Sequence, residues 1–248
     1  MRGKLIVFEG GEGSGKTTQI KRLHDWLKRS EALSRLQEKN AAVGVKLTRE
    51  PGGTALGQQI RRLLLAQHSP TEASPEVPIV SRAELLLYAA DRAQHVEATL
   101  VPWLEQGYWV LCDRYTDSTV AYQGYGRQLD LALIDQLNQM ATGGLKSDLT
   151  LWLRVPPDVG LARMQQRGQA DRIEQASGAF HRRVSEGFAA LAAEHAGKGE
   201  KEKGGEGFLS SGPMVEIEGD RAVETVAAQI QQIVQQQIAQ WYPLLSLD

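Results

Sequence analysis

Short apolar runs alternate with longer amphipathic stretches along most of the chain. The runs are rich in branched and aromatic side chains and predict five strands, at residues 4–9, 43–48, 108–113, 148–155 and 214–217. Helical periodicity follows them at residues 16–29, 56–66, 82–105, 131–142, 157–167, 176–194 and 222–241. The runs are apolar at consecutive positions, which is typical of strands buried on both faces. Strands that alternate with helices predict an α/β fold, a parallel five-stranded sheet with helices on both faces.

Two stretches interrupt this alternation. Residues 30–42 are mostly polar and predict a long connection between the first helix and the second strand. Residues 197–212 are rich in Gly, Lys, Glu and Ser, which favours a solvated surface insertion, although a function for its charge run stays open. No repeat or linker divides the chain, so we expect a single domain over residues 1–248.

Composition narrows the class of protein. The formal net charge of the 248 residues is −2, so no basic excess indicates a nucleic-acid partner. No apolar run approaches the roughly 20 residues that span a bilayer, and the first residues carry no signal-peptide pattern. The single cysteine, Cys112, lies in an apolar run and predicts a buried structural thiol. Together these features predict a cytoplasmic protein without a membrane partner.

A glycine-rich loop between the first strand and the first helix carries the clearest chemistry. Residues 10–17 read GGEGSGKT and satisfy the pattern G-x-x-x-x-G-K-[ST]. Glycines let backbone N–H groups converge on phosphate oxygens at the positive end of a helix, where a lysine reaches the β- and γ-phosphates. The loop predicts a P-loop NTPase fold whose nucleotide-binding residues are Gly10, Gly11, Gly13, Ser14, Gly15, Lys16, Thr17 and Thr18.

A carboxylate at the end of the third strand completes the predicted phosphate site. Asp113 follows an apolar run, and with the Thr17 hydroxyl it predicts a Mg²⁺ site, although an aspartate at a strand end could also serve as a cap. The two motifs alone do not separate a kinase from a GTPase, an ATPase or a transporter subunit. The chain lacks the Asn-Lys-x-Asp pattern of GTPases, and its small size favours phosphate transfer to a small acceptor.

Three polar clusters indicate the acceptor side. Residues 48–54 (TREPGGT) follow the second strand, where ligands bind in parallel α/β sheets. Tyr88 and Arg92 are four residues apart on one helix face, which suits a base and a phosphate. Residues 113–127 form a third run with many hydrogen-bonding side chains. His95 follows the same helix, and we expect it at the helix surface rather than acting as a base.

These segments together resemble bacterial thymidylate kinase. The resemblance rests on EGGEGSGKTTQ, TREPGGT, ELLLYAADRAQH, DRYTDSTVAYQGYGR and RGQADRIE, in this order along nearly the whole chain. It implies a nucleoside monophosphate kinase-like fold, transfer of phosphate from ATP to dTMP with Mg²⁺, and a homodimer. The alternatives left open are another P-loop nucleoside or nucleotide kinase and, in a different class, a P-loop regulatory ATPase.

The resemblance also implies roles for single residues. Arg49 and Arg92 match arginines that hold the dTMP phosphate, Tyr88 lies where a Phe usually stacks on thymine, and Glu12 matches an acidic residue near the deoxyribose 3′-hydroxyl or the phosphate. The remaining substrate-binding residues implied are Glu50, Pro51, Arg114, Ser118, Tyr122 and Gln123, of which Gln123 bonds the base. The implied catalytic residues are Lys16, Glu12, Arg114 and Arg167.

Arg167 belongs to a lid predicted at about residues 160–173. Some family members carry a basic residue in the phosphate loop where this chain has Gly13, and members with glycine there resemble this sequence in placing arginines in the lid. Arg167 is the predicted charge-neutralising residue, with Arg163 and Arg172 supporting it on the ATP side. Two simpler readings stay open: Arg163 as a solvated helix residue, and Arg172 paired with Asp171 or Glu174.

Overall fold

Five parallel strands form one sheet in the computed structural model, which describes residues 1–66, 78–166, 168, 171–195 and 212–243. The strands are β1 (Leu5–Glu9), β2 (Gly44–Arg49), β3 (Tyr108–Asp113), β4 (Leu149–Arg154) and β5 (Met214–Glu218). Their order across the sheet is β2-β3-β1-β4-β5. The strand that leads into the phosphate loop, β1, therefore lies at the centre, and every carboxyl end lies along the same edge.

Helices connect the strands and cover both faces of the sheet. In the described ranges they are α1 (Lys16–Arg29), α2 (Glu31–Glu38), α3 (Ala55–Leu65), α4 (Ser81–His95), α5 (Val101–Glu105), α6 (Thr116–Thr119), α7 (Leu131–Thr142), α8 (Pro157–Gln165), α9 (Gly178–His195) and α10 (Val223–Trp241). Two π-helical segments, Val96–Leu100 and Val120–Gly126, continue α4 and α6. None of the helices in these ranges is long and apolar enough to cross a membrane.

Successive residues of β1 pack into different cores. Ile6 and Phe8 belong to a cluster with α1, α2 and α10, whereas Leu5 and Val7 pack with the π-helical segment Val96–Leu100 and α5. This two-sided burial is the reason that the strands read as continuous apolar runs. The predicted α/β fold with a five-stranded parallel sheet is confirmed, and Cys112 is buried and free, as expected.

The polar stretch at residues 30–42 connects α1 to β2, as predicted, but much of it forms a helix that the sequence did not predict. Ser30 caps α2 by accepting a hydrogen bond from the backbone N–H of Leu33 at 3.2 Å. Leu33 and Leu36 are buried against the core of α1 and the sheet. Two leucines three positions apart are enough to bury one face of a two-turn helix, a signal that the polar residues around them obscured.

The predicted helix at residues 82–105 is one continuous helical segment with a π-helical turn inside it. The segment after β3, residues 116–126, is also helical, although its sequence predicted only a polar run. Its second half packs closely on α9, where a Cβ at Gly126 would lie 2.7 Å from the Phe180 ring. Of the predicted insertion, residues 197–211 lie outside the described residues, as does Arg167 of the lid.

Candidate active site

Three strand ends bring the predicted site together. Arg49 at the end of β2 and Phe8 of β1 both stand beside Asp113, the last residue of β3. Glu9 closes β1 and leads directly into the phosphate loop. The loops after β1, β2 and β3 therefore meet at one point, the position where open parallel sheets bind ligands.

The phosphate loop positions Lys16 at the start of α1. Lys16 is 7% exposed, and its Nζ donates to the carbonyl oxygens of Gly10 and Gly11, each at 2.9 Å. Burial and the charge of Arg114 lower its pKa to about 8, against the opposing attraction of nearby carboxylates such as Glu12. The ammonium group is thus held over the loop by main-chain acceptors, which phosphate oxygens could replace.

The phosphate loop touches the first turn of the predicted lid backbone to backbone. Gly13 has φ of 69°, and a Cβ there would lie 2.1 Å from the carbonyl oxygen of Gly160 in α8. A Cβ on Gly160 would in turn lie 2.3 Å from the carbonyl oxygen of Glu12. Neither position has space for a side chain, which explains physically why this loop carries no basic residue at position 13.

Glu12 and Arg114 form an ion pair beside the phosphate loop. Nη2 of Arg114 donates to Glu12 Oε1 at 2.6 Å, and the Tyr122 hydroxyl donates to the same oxygen at 2.7 Å. Burial favours the neutral acid, but the charges of Arg114 and Lys16 outweigh it and lower the pKa of Glu12 to about 2. Nη1 of Arg114 also donates to the Gly10 carbonyl oxygen and the Ser118 hydroxyl. Arg114 is therefore fixed against the loop that would hold the transferred phosphate.

Asp113 and Thr17 have the donor set of a Mg²⁺ site. The Thr17 hydroxyl lies 3.4 Å from Asp113 Oδ2, and Oδ1 of Asp113 is buried without a hydrogen-bond partner in the described part of the chain. A buried carboxylate oxygen without a partner is costly unless a cation or water satisfies it. Hydroxyl and carboxylate oxygens are the ligands that Mg²⁺ prefers, so these residues fit the predicted ion.

One cleft of about 250 Å³ joins the phosphate loop to the acceptor clusters. Of the predicted site residues, it is lined by Glu12, Gly13, Ser14, Gly15, Lys16, Thr17, Thr18, Arg49, Glu50, Pro51, Tyr88, Arg92, Asp113, Arg114, Ser118, Tyr122 and Gln123. Gly10 and Gly11 approach it through their carbonyl groups, which hold Lys16. The structure thus brings the predicted donor and acceptor sides into a single cavity.

At the acceptor end of the cleft, a buried carboxylate fixes the orientation of Gln123. Glu84 is 0% exposed, and its Oε1 accepts from Nε2 of Gln123 at 2.9 Å. Burial raises the pKa of Glu84, but hydrogen bonds from Arg127 and Gln123 more than offset it and hold the pKa below its ordinary value. Because an ionised carboxylate only accepts, the amide nitrogen of Gln123 faces Glu84, and its oxygen is left as an acceptor. The half-buried ring of Tyr88 lines the same end of the cleft.

Arg92 is held almost entirely by the protein. It is 2% exposed; Nε donates to Glu50 Oε2 at 2.8 Å, and Nη1 donates to Thr119 and Asn138 at 2.8 and 2.6 Å. Nη2 donates to the Tyr115 carbonyl oxygen at 2.8 Å. Four of the five N–H groups of the guanidinium are thereby occupied, so one has no partner among the described residues and is available to a ligand. That count suits a single hydrogen bond better than the bidentate grip of a phosphate.

The expectation that His95 lies at the helix surface was wrong. His95 is 0% exposed, with Nδ1 2.9 Å from Glu50 Oε1 and Nε2 2.7 Å from the Thr48 hydroxyl. Helical spacing placed it on the same side of α4 as Arg92, but only the packing of the loop after β2 shows that this side is buried.

Two of the three arginines predicted for a lid lie in the described residues, and both bind carboxylates. Arg163 donates to Asp220 Oδ1 at 2.7 Å, and Arg172 donates to Glu84 Oε2 at 2.6 Å. Neither lines the cleft, whereas Asp171, Ile173 and Glu174 of the same segment do.

Besides Asp171 and Glu174, sequence reasoning missed two further charged residues of the site. Arg61 lines the cleft from α3, and its Nη1 donates to the Pro51 carbonyl oxygen at 3.1 Å. Glu9 is 0% exposed and accepts from the Ser118 hydroxyl at 2.6 Å and the Tyr115 N–H at 2.8 Å. Burial and the charge of Asp117 raise its pKa to about 7. The available signal for Glu9 was a charged residue at the end of an otherwise apolar strand. The only sequence signal for Arg61 was its position on the helix that follows TREPGGT.

Comparison with known proteins agrees with this geometry. The family model described as thymidylate kinase matches residues 8–198. The thymidylate kinase of Cyanothece sp. (strain PCC 7425 / ATCC 29141) is 52% identical over 254 aligned residues, covering 100% of both chains. The chain belongs to the thymidylate kinase family. The predicted resemblance to this family is therefore confirmed along the whole chain.

Further relatives agree with the family. The thymidylate kinase of Acaryochloris marina (strain MBIC 11017) is 50% identical, over 98% of this chain and 100% of that protein. A crystal structure of thymidylate kinase from Ehrlichia chaffeensis superposes with a TM-score of 0.64 at 28% identity, covering 95% of this chain and 100% of the other.

Proposed function

We propose that this chain transfers the γ-phosphoryl group of ATP to dTMP, giving ADP and dTDP. The observation that carries the proposal is the single cleft in which the phosphate loop and the acceptor clusters meet. Phosphoryl transfer needs an aligned acceptor and neutralisation of charge on the moving group rather than a covalent intermediate. The cleft offers both, in a family whose named members are thymidylate kinases.

On the donor side, the loop of residues 10–18 binds the ATP phosphates and Lys16 neutralises their charge. Mg²⁺ held by Thr17 and Asp113 would supply further positive charge at the β- and γ-phosphates. Arg114, fixed by Glu12 and Ser118, lies between the phosphate loop and the acceptor. We assign these residues to the part of the site where the phosphoryl group is transferred.

On the acceptor side, Arg49 and Arg61 bind the dTMP phosphate. Both line the cleft, and Arg49 is exposed to it. Arg92, with one N–H left, reaches either that phosphate or the base with a single hydrogen bond. Tyr88 stacks on thymine, and Gln123 accepts from the thymine N3–H because Glu84 fixes its amide. Cytosine has an acceptor at N3, so the same amide orientation disfavours dCMP.

Residues 160–173 act as a lid within one domain. Lid closure excludes water, which would otherwise receive the phosphate. Arg167 supplies the charge that Gly13 cannot, because the contact of Gly13 with Gly160 leaves no space for a side chain. Arg163 and Arg172 support ATP binding once the lid closes, which for Arg172 requires release of its bond to Glu84 at the acceptor end.

We also propose a cytoplasmic homodimer without a nucleic-acid partner. Leu56, Leu63 and Leu86 are 47%, 54% and 57% exposed on α3 and α4, and an apolar surface of this kind fits a second copy of the chain. The buried free thiol of Cys112 fits a reducing compartment. The net charge of −2 gives no basic surface for a polyanion.

A panel of acceptors tests the proposed function. ADP formation from ATP is measured with dTMP, dUMP, dCMP, AMP or GMP, and with no acceptor. We expect dTMP to be preferred, dCMP to be poor, and Lys16→Ala to abolish turnover with every acceptor. Preference for a purine would establish another nucleotide kinase, and ATP turnover indifferent to dTMP would establish a regulatory ATPase.

A further inference from the structure

A buried histidine links α4 to the loop that follows β2. His95 ends α4, and its ring bridges Thr48 and Glu50, the residues on either side of Arg49. A Cβ at Gly53 would lie 2.5 Å from the His95 ring, so the main chain of the same loop lies directly on the imidazole. His95 therefore contacts residues 48–53 at three places.

The hydrogen-bond partners of the His95 ring determine which of its two nitrogens carries the proton. The Glu50 carboxylate only accepts, so Nδ1 of His95 carries the hydrogen of the 2.9 Å bond. Nε2 of a neutral ring then accepts from the Thr48 hydroxyl at 2.7 Å. The ring is thus held by a hydrogen bond at each nitrogen, and it fixes the orientation of the Glu50 carboxylate through Oε1.

The second oxygen of Glu50 continues the chain of contacts. Oε2 accepts from Nε of Arg92 at 2.8 Å, and Arg92 lines the cleft. Glu50 is 4% exposed and Arg92 is 2% exposed, so water does not compete effectively for either group. A displacement of the Glu50 carboxylate would therefore move Arg92, which is bonded to it. It would also move Arg49, which precedes Glu50 in the chain.

We propose that His95 is a positioning residue for the nucleoside monophosphate, acting through Glu50 on Arg92 and through the loop main chain on Arg49. The proposal rests on the proposed function and assigns His95 to the acceptor half of the site. It does not touch the donor half, because none of the contacts of His95 given above involves the phosphate loop. Loss of His95 should therefore weaken dTMP binding and leave ATP binding unchanged.

Two substitutions separate the two bonds of the ring. His95→Asn keeps an N–H near the position of Nδ1 and so retains the bond to Glu50, whereas His95→Gln reaches the position of Nε2 and retains only the bond to Thr48. A hydrogen bond to a charged group contributes roughly 1.5–3 kcal/mol, so its loss corresponds to about a 10- to 100-fold change in binding. We expect the KM for dTMP to rise at least about 10-fold in His95→Gln and to stay within about 3-fold in His95→Asn.

The KM for ATP and the melting temperature are measured for both variants alongside. A structural role alone would lower both melting temperatures and would change the two KM values together. Equal KM values for dTMP in the two variants, or a parallel rise in the KM for ATP, would overturn the proposal. If the unsubstituted protein does not phosphorylate dTMP at all, the proposed function fails instead, which keeps the two failures distinct.

Thr48, the partner of His95 on β2, provides an independent test if both His95 variants fail to fold. Thr48→Val keeps the size of the side chain and removes the hydroxyl that fixes the ring, and Thr48→Ser keeps the hydroxyl. We expect Thr48→Val to raise the KM for dTMP about 3-fold, as the loss of a neutral hydrogen bond would, and Thr48→Ser to restore it. No rise in Thr48→Val would count against the proposal.

Discussion

At the scale of single residues, what each arginine can do depends on how much of its guanidinium is already bound. Arg92 gives four of its N–H groups to the protein, and Arg114 is paired with Glu12, whereas Arg49 is exposed in the cleft. The same side-chain chemistry thus serves to hold the site together at one position and to meet the ligand at another. Substitutions of the three arginines should therefore differ in whether they change the free energy of unfolding or the binding of the ligand.

The first prediction concerns Arg167, the arginine that we propose acts from a lid. Arg167→Ala should lower kcat about 10³- to 10⁵-fold, because an arginine that neutralises the transferred group acts only in the transition state. Binding of dTMP, followed by calorimetry, should be unchanged. Arg154→Ala, which removes an exposed arginine paired with Glu216, is the matched control. Near-normal turnover of Arg167→Ala would refute the lid assignment.

Glu9 gives a prediction on stability and pH. Its pKa is raised from 4.5 to about 7 by burial and the charge of Asp117, so between these values the folded state binds more protons than the unfolded state. The free energy of unfolding should therefore fall as pH rises from 4.5 to 7, by about 1 to 3 kcal/mol from this group.

Urea unfolding of Glu9→Gln at pH 5, 6, 7 and 8 checks the effect of Glu9. The variant lacks the titrating group, so its stability should depend less on pH across this range. Glu97→Gln replaces an exposed glutamate and should retain the full dependence of the original protein. Identical slopes for Glu9→Gln and the original protein would contradict the raised pKa.

At the scale of elements, the close contact between the phosphate loop and α8 joins the proposed lid to the proposed ATP site. Glycine within a helix normally costs about 0.5–1 kcal/mol relative to alanine, so helix propensity alone predicts that Gly160→Ala stabilises the protein. The contact reverses this expectation, because the added Cβ would lie 2.3 Å from the Glu12 carbonyl oxygen. Either α8 or the phosphate loop, which we propose binds ATP, has to move.

Gly160→Ala should therefore lower the free energy of unfolding by roughly 1–3 kcal/mol, as overpacking does. It should also raise the KM for ATP more than the KM for dTMP. Gly143→Ala is the control: its φ of 57° gives it a backbone cost of about 1 kcal/mol, but its Cβ would meet nothing within 4 Å. A more stable Gly160→Ala with unchanged kinetics would show that the contact relaxes freely.

At the scale of the whole molecule, the exposed leucines of α3 and α4 predict association. Light scattering should give twice the chain mass of 27.3 kDa. Leu86→Glu should yield a folded monomer, because a charge buried in an apolar interface is strongly unfavourable. Val223→Glu changes a 40% exposed valine on α10 and should leave the dimer intact. A monomeric original protein would end the proposal.

Particular elements show how much of the secondary structure could be predicted from the sequence. Helix α1 and strand β3 were predicted at the observed bounds, because apolar periodicity and the glycine loop are local signals. Helix α2 and the helical segment at residues 116–126 were missed. The first has only two turns, and the second is stabilised by packing on α9 rather than by its own periodicity.

The sequence by itself determined the phosphate loop, the carboxylate at the end of β3 and the positions of the apolar runs, and its ordered motifs indicated the family. The loop, the carboxylate and each apolar run depend on residues close together along the chain. Only the tertiary structure decided the order of the strands across the sheet. Tertiary structure alone decided that His95 is buried against Glu50, that Arg92 has one N–H left, and that Glu84 fixes Gln123. These contacts join distant segments, and whether a polar side chain is solvated or satisfied inside depends on what the fold packs against it.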